Sequence, residues 1–256
     1  MKRKCILILV DGMRPDALPA CGNPFCKDIL KTGAVQITAR TVMPSVTLPC
    51  HISLFHSVPP ERHGTLTNDY VEQVRPVKSL FEVLHDAGKK TASVYNWEQL
   101  RDISRPGYLD FAYYLSQYAQ KDSDSRITDT ALCYLEKESP DFMFLYLGET
   151  DEAGHKDGWM SPFYLKTLSG AWDCIQRVAD ATQGEYDLLL VADHGGHGRC
   201  HGTDMPEDMT IPIFLRPVGG EKIDTENVDI MDLSPTIARI MGLAPDRDWE
   251  GHSLLK

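Results

Sequence analysis

Residues 186–196 read YDLLLVADHGG, an apolar run that ends on an acid, an imidazole and two glycines. A run of this length without polar alternation predicts a strand buried on both faces, as in a parallel sheet covered by helices. The same pattern recurs along the chain. CILILV (5–10) runs into Asp11-Gly12, DFMFLYLG (141–148) stops just short of Asp151, and KTASVYNW (90–97) and IPIFLR (211–216) complete the set. Helical patterns fall between these runs. PVKSLFEVLHDAGKK (76–90) has apolar residues at helical spacing and a stop at Gly88, and SDSRITDTALCYLEKES (123–139) carries an Ile127, Leu132, Leu135 stripe. A long helix is expected from Ser161 to Thr182, with Pro162 tolerated in its first turn. The expected fold class is therefore α/β, a mostly parallel central sheet flanked by helices on both faces. Residues 1–256 are expected to form a single domain.

Bulk properties narrow the partners. At 256 residues and 42% hydrophobic content, the chain reads as an ordinary globular protein. Its net charge of -11 argues against a nucleic-acid scaffold, which needs clustered Lys and Arg. A small anionic substrate stays compatible with that charge if bound cations reverse the local field. The basic start and short apolar run of MKRKCILILVDGM imitate a signal peptide, but the run ends at Asp11 and reads as the first buried strand. No stretch approaches the ~20 apolar residues of a membrane span, so no membrane partner is expected. Seven cysteines without CxxC spacing suggest reduced thiols and a cytoplasmic location.

Asp11, Asp151, His155, Asp193, His194 and His201 all lie at or just past the ends of apolar runs. In open α/β sheets ligands bind beyond the carboxyl ends of the strands, so these six residues are expected to share one crevice. Three carboxylates and three imidazoles suffice for two three-ligand sites, each with a position open to substrate. Two divalent metal ions are expected, zinc before manganese or another borderline ion, because calcium prefers oxygen ligands alone. His197 belongs to the same glycine-rich cluster, either as a support for a ligand or as a solvent-facing residue. Glu152 and Asp157 are alternative carboxylates beside Asp151, whereas His51, His56, His63 and His252 show no comparable partners in the sequence.

Thr47 sits in MPSVTLPCH (43–51), where a helix begins. Its hydroxyl either caps that helix or exploits the same free N–H groups and dipole as a nucleophile activated by a divalent ion. Ser45 and Cys50 are rival nucleophiles, Cys50 reading better as a packed thiol. Asn68, in HGTLTNDY (63–70), is either a turn residue or a donor to a phosphoryl oxygen. This inventory fits a two-metal hydrolase acting on a phosphorus or sulfur ester.

Taken in order, the segments resemble the alkaline phosphatase superfamily and, within it, the type I phosphodiesterase/nucleotide pyrophosphatase family. LVDGMRPDAL (9–18) is similar to the strand-plus-DG(F/M)RPD opening of that family, and Pro44 to His51 to its P-x-x-T-x-P-x-H threonine motif. Val58 to Gly64 followed by Asn68, Asp151 to His155, Asp193-His194-Gly195 and His201-Gly202 resemble its later motifs, and the tail 231–255 its closing helix and turn. The resemblance implies an alkaline phosphatase-like fold and a catalytic domain spanning 1–256. It implies one ion held by Asp151, His155 and His201 and a second by Asp11, Asp193 and His194. Thr47 would be nucleophile and metal ligand, Asn68 would face the phosphoryl group, and the substrate would be a small phosphate ester. Two departures stand out. Cys50 replaces the asparagine common in the threonine motif, and the chain is more compact than members carrying inserted nucleotide-binding segments.

The expected activity is a phosphodiesterase/nucleotide pyrophosphatase. A phosphonate hydrolase or a phosphomonoesterase of the same superfamily is the alternative, and an inactive metal-binding scaffold is the non-enzymatic one. A sulfatase is disfavoured because TLPCH lacks the arginine of the C/S-x-P-x-R signature.

Overall fold

The structure is a computed structural model and describes residues 3–32, 35–103, 107–216 and 222–256. Among these, seven strands form one sheet in the order β2-β7-β6-β1-β5-β3-β4. Their ranges are β1 Lys4–Val10, β2 Val35–Arg40, β3 Thr91–Tyr95, β4 Phe111–Tyr114, β5 Phe142–Leu147, β6 Tyr186–Val191 and β7 Thr210–Arg216. Strands β6, β1, β5, β3 and β4 pair in parallel. β7 is antiparallel to both β6 and β2, so it alone runs against the rest.

The helices are α1 Ala17–Ala20, α2 Pro24–Thr32, α3 Thr47–His56, α4 Pro60–His63 and α5 Leu80–Asp86. They continue as α6 Ser123–Glu138, α7 Glu149–Asp157, α8 Pro162–Ala181, α9 Pro206–Met209 and α10 Leu233–Ile240. The helix expected over 76–90 is shorter than its pattern, because Ser79 closes a capping box with Glu82 and starts the helix at Leu80. Ser161 likewise caps α8 by accepting from the Tyr164 amide.

Every residue of β5 and β6 is buried, which requires cover on both faces of the sheet. On one face, Phe55 of α3 stacks on Phe81 of α5 and meets Phe144 of β5 edge-on, while Phe81 meets Phe142. Helix α8 packs on both α6 and α7, and its Trp172 sets its edge against Phe214 of β7. No helix among the described residues is long and apolar enough to cross a membrane.

Strands β2 and β4 did not show as apolar runs. Both lie at sheet edges, and β4 alternates between half-buried and exposed positions, so neither carries the doubly buried signature. The region 195–210 holds a tight turn bridging His197 and Cys200 as well as α9. The segment from Pro59 to Pro76 opens with α4.

Candidate metal centre and nucleophile

The central strand order β6-β1-β5 sets three chain segments side by side at one end of the sheet. Asp193 follows β6, Asp11 follows β1, and α7 with Asp151 and His155 follows β5. The Asp11 amide donates to Leu147 O at 3.0 Å, extending the ladder to the last residue before the crevice.

Asp11, Asp193 and His194 offer ligand atoms that all lie within 4.8 Å of one another, and so do Asp151, His155 and His201. Within the first group, His194 Nε2 is 3.3 Å from Asp11 Oδ1 and 3.5 Å from Asp193 Oδ2. In the second, Asp151 and His155 share one face of α7 four residues apart. His155 Nε2 lies 3.4 Å from Asp151 Oδ2, and His201 Nε2 lies 3.7 Å from Asp151 Oδ1. The rings of His194 and His201 stack at 3.8 Å between centroids, which places the two groups against each other.

All three imidazoles are oriented in the same way. His194 Nδ1 donates to Gly195 O at 2.8 Å, His155 Nδ1 to Arg199 O at 3.0 Å, and His201 Nδ1 to Ser45 O at 2.8 Å. Each bond fixes the proton on Nδ1 and leaves the Nε2 lone pair pointing at carboxylates. Burial pushes His194 down to about 4; His201 falls to about 3, through burial and then through the neighbouring His194. Both rings are neutral at physiological pH, the state that binds a metal.

The carboxylates are as informative. Asp11 Oδ1, Asp151 Oδ1 and Asp193 Oδ2 are buried without hydrogen-bond partners. Burial, and then the charges of Asp193 and Asp151, push the Asp11 carboxyl well above its ordinary value. Three orphaned carboxylate oxygens facing the Nε2 lone pairs of His194 and His201 would be costly in a site that stayed empty of cations. The donor set therefore fits divalent ions, and its mixture of imidazole and carboxylate matches borderline metals.

Thr47 is the first residue of α3, after an extended Val46. Its buried hydroxyl makes no capping bond; it donates to His194 Nε2 at 3.1 Å. The rivals are otherwise engaged. Ser45 Oγ donates to Thr203 O at 2.8 Å, and the buried Cys50 thiol accepts from the Thr41 hydroxyl. Asn68 reaches the same helix end, its Oδ1 accepting from the Leu48 amide at 3.0 Å, so its side-chain N–H groups stay available beside Thr47.

His197 falls outside both groups and donates from Nδ1 to Asp208 Oδ1 at 2.7 Å. Glu152 and Asp157 belong to neither. His51 also stands outside both groups, as expected of a histidine without comparable partners in the sequence. Its Nδ1 donates to Thr47 O at 2.8 Å and lies 3.6 Å from Asp193 Oδ2, bracing the nucleophile turn against a ligand. Its placement four residues after Thr47 on one helix was the available signal.

Two supports carried no sequence signal. Tyr146, the penultimate residue of β5, donates from its phenol to Asp11 Oδ2. Trp159 donates from its indole to Gly12 O at 3.0 Å and packs edge-on to His155 and His201. A Cβ on Gly154 would come within 2.7 Å of that indole and one on Gly196 within 2.2 Å, so both glycines admit the ring.

The sequence pattern that defines the family described as "Type I phosphodiesterase / nucleotide pyrophosphatase" matches residues 5–209. Ectonucleotide pyrophosphatase/phosphodiesterase family member 1 of Rattus norvegicus is 24% identical over 219 residues, covering 76% of this chain and 24% of its own length. The chain thus spans about a quarter of that relative. Among solved structures, murine ectonucleotide pyrophosphatase/phosphodiesterase 5, as an inactive variant in complex with AMP, superposes with a TM-score of 0.78. Its identity is 14%, and the match covers 99% of this chain and all of that one. Phosphonoacetate hydrolase from Sinorhizobium meliloti superposes with a TM-score of 0.61 at 20% identity, over 76% of this chain and 56% of that one. At these identities the superpositions establish a common fold.

Proposed function

Because the chain belongs to the type I phosphodiesterase/nucleotide pyrophosphatase family, we propose that it is a metal-dependent phosphoric ester hydrolase with Thr47 as nucleophile. Phosphodiesters are its preferred substrates. The observation that carries this reading is the Thr47 hydroxyl, 3.1 Å from His194 Nε2, where two oriented three-ligand clusters meet. Asp11, Asp193 and His194 would hold one ion and Asp151, His155 and His201 the other, zinc fitting the donor set best.

Divalent ions bound there would supply positive charge for the phosphoryl oxygens and make the threonine hydroxyl easier to deprotonate. The chain's own residues do the rest. Thr47 Oγ1 forms a bond to phosphorus as the bond to the leaving oxygen breaks, giving a phosphothreonine. The Thr47 amide at the start of α3 and the Asn68 side-chain N–H groups donate to the non-bridging oxygens as charge builds on them. Water then attacks the phosphothreonine from the side that the leaving group vacated and returns the free hydroxyl. Neutral imidazoles with their protons fixed on Nδ1 keep the ligand atoms turned inward throughout. Small nucleotide diesters are candidate substrates, since a structural neighbour is described in complex with AMP.

The test is a panel of bis-p-nitrophenyl phosphate, p-nitrophenyl phosphate, phosphonoacetate and p-nitrophenyl sulfate, each with zinc and with chelator. Diester hydrolysis that chelator abolishes and zinc restores is expected. Zinc-loaded protein that cleaves only the monoester or the phosphonate would reassign it to those chemistries.

A further inference from the structure

Outside the two ligand groups, the turn His197-Gly198-Arg199-Cys200 carries a second arrangement of ligand-type side chains. Paired backbone bonds close it, His197 N to Cys200 O at 2.9 Å and Cys200 N to His197 O at 3.0 Å. The closure sets Cys200 Sγ 3.4 Å from His197 Nε2. Behind the imidazole, Nδ1 donates to Asp208 Oδ1 at 2.7 Å, and Asp208 is fully buried. Its other oxygen accepts from the Thr203 amide at 3.0 Å and the Thr203 hydroxyl at 2.7 Å, which locks the carboxylate in place. The thiol itself is exposed.

We propose that Cys200 and His197 form a separate binding site for a thiophilic divalent cation, such as zinc or cadmium. Four features of the geometry carry it. An imidazole whose Nδ1 is held by a carboxylate presents Nε2 as a ligand, the usual support for a metal-bound histidine. With ordinary Zn–S and Zn–N lengths, a 3.4 Å separation corresponds to an S–metal–N angle of about 103°, near tetrahedral. The closed turn presets both ligands, so little ordering remains to be done on binding. Exposure of the thiol leaves the other coordination positions to water. As the sulfur–cation bond forms, the thiol proton leaves to solvent, and no redox partner is needed. The same turn supplies the Arg199 carbonyl that orients His155, so an ion here sits on a support of the main centre.

The proposal does not depend on the hydrolase reading, and its signal is separable, because neither main ligand group contains sulfur. The experiment titrates the full chain with Cd²⁺ alone and follows the ultraviolet thiolate-to-cadmium absorption. Wild type is expected to develop the band, C200S to lose it, and H197A to need at least tenfold more Cd²⁺. Added Zn²⁺ should displace the band and Mg²⁺ should not. The remaining thiol pair, Cys21 and Cys26, is the internal rival. A full-strength band in C200S would assign the absorption to that pair or to the exposed Cys133 and overturn the proposal. An unchanged titration in H197A would also overturn it, by showing that the thiol binds without the imidazole.

Discussion

The Tyr146 phenol donates across the β1–β5 pair to Asp11 Oδ2, which leaves Asp11 Oδ1 free to face His194 Nε2. Both residues are buried, so the bond fixes which carboxylate oxygen meets the cation. Tyr146→Phe removes that constraint without opening a cavity. Zinc affinity should fall by ~10- to 100-fold with little change in melting temperature. Competition with a chromophoric chelator measures this, and wild-type affinity would show that Asp11 orients itself.

Thr47→Ala should lose at least ~10³-fold in kcat on bis-p-nitrophenyl phosphate, as expected for removal of a nucleophile. Zinc should still raise its melting temperature as in wild type, because the six ligands are intact. Thr47→Ser, which keeps the hydroxyl, should retain part of the activity. Comparable turnover by the alanine and serine variants would remove Thr47 from the reaction.

Asp124 gives a stability prediction with a defined sign. Burial, and then the adjacent Glu149 charge, push its carboxyl up to about 8. Between about pH 4, the ordinary aspartate value, and about pH 8, the folded protein holds a proton that the unfolded chain releases. Its contribution is therefore complete at low pH and is lost as pH rises through about 8. Asp124→Asn mimics the neutral form. The melting-temperature difference between variant and wild type should grow in the variant's favour from pH 5 to pH 8 and then level off. A constant difference across that range would mean that Asp124 is ionised when folded.

Gly196→Ala forces a methyl group into the Trp159 ring, which Gly154 also approaches closely. Urea denaturation should show a loss of about 1–3 kcal/mol, the usual cost of overpacking. Zinc affinity should fall as well, since the displaced ring packs against His155 and His201.

The doubly buried strands were legible because β1, β5 and β6 have no polar alternation, and their ends located Asp11, Asp151 and Asp193 without any knowledge of tertiary structure. Edge strands β2 and β4 were hidden, since a strand covered on one side or left at a rim looks like ordinary amphipathic chain. Ligand types could be read from the sequence, but ligand supports could not. Tyr146 looks like any apolar strand residue until β1 is laid beside β5. The carbonyls of Ser45, Gly195 and Arg199 that fix the three imidazoles carry no side-chain signature at all. The bracing contact of His51 was hidden for a related reason. Its partners are a backbone oxygen one helical turn away and an acid more than a hundred residues downstream.

Trp159 touches all three segments that converge on the crevice, through Gly12 O, Gly154 and Gly196. A single indole wedged there makes the centre optically self-reporting. Occupancy by ions with different quenching power should register in intrinsic emission, so loading and stripping can be followed on unlabelled protein, with Trp159→Phe, whose other three tryptophans still emit, as the control expected to lose the response.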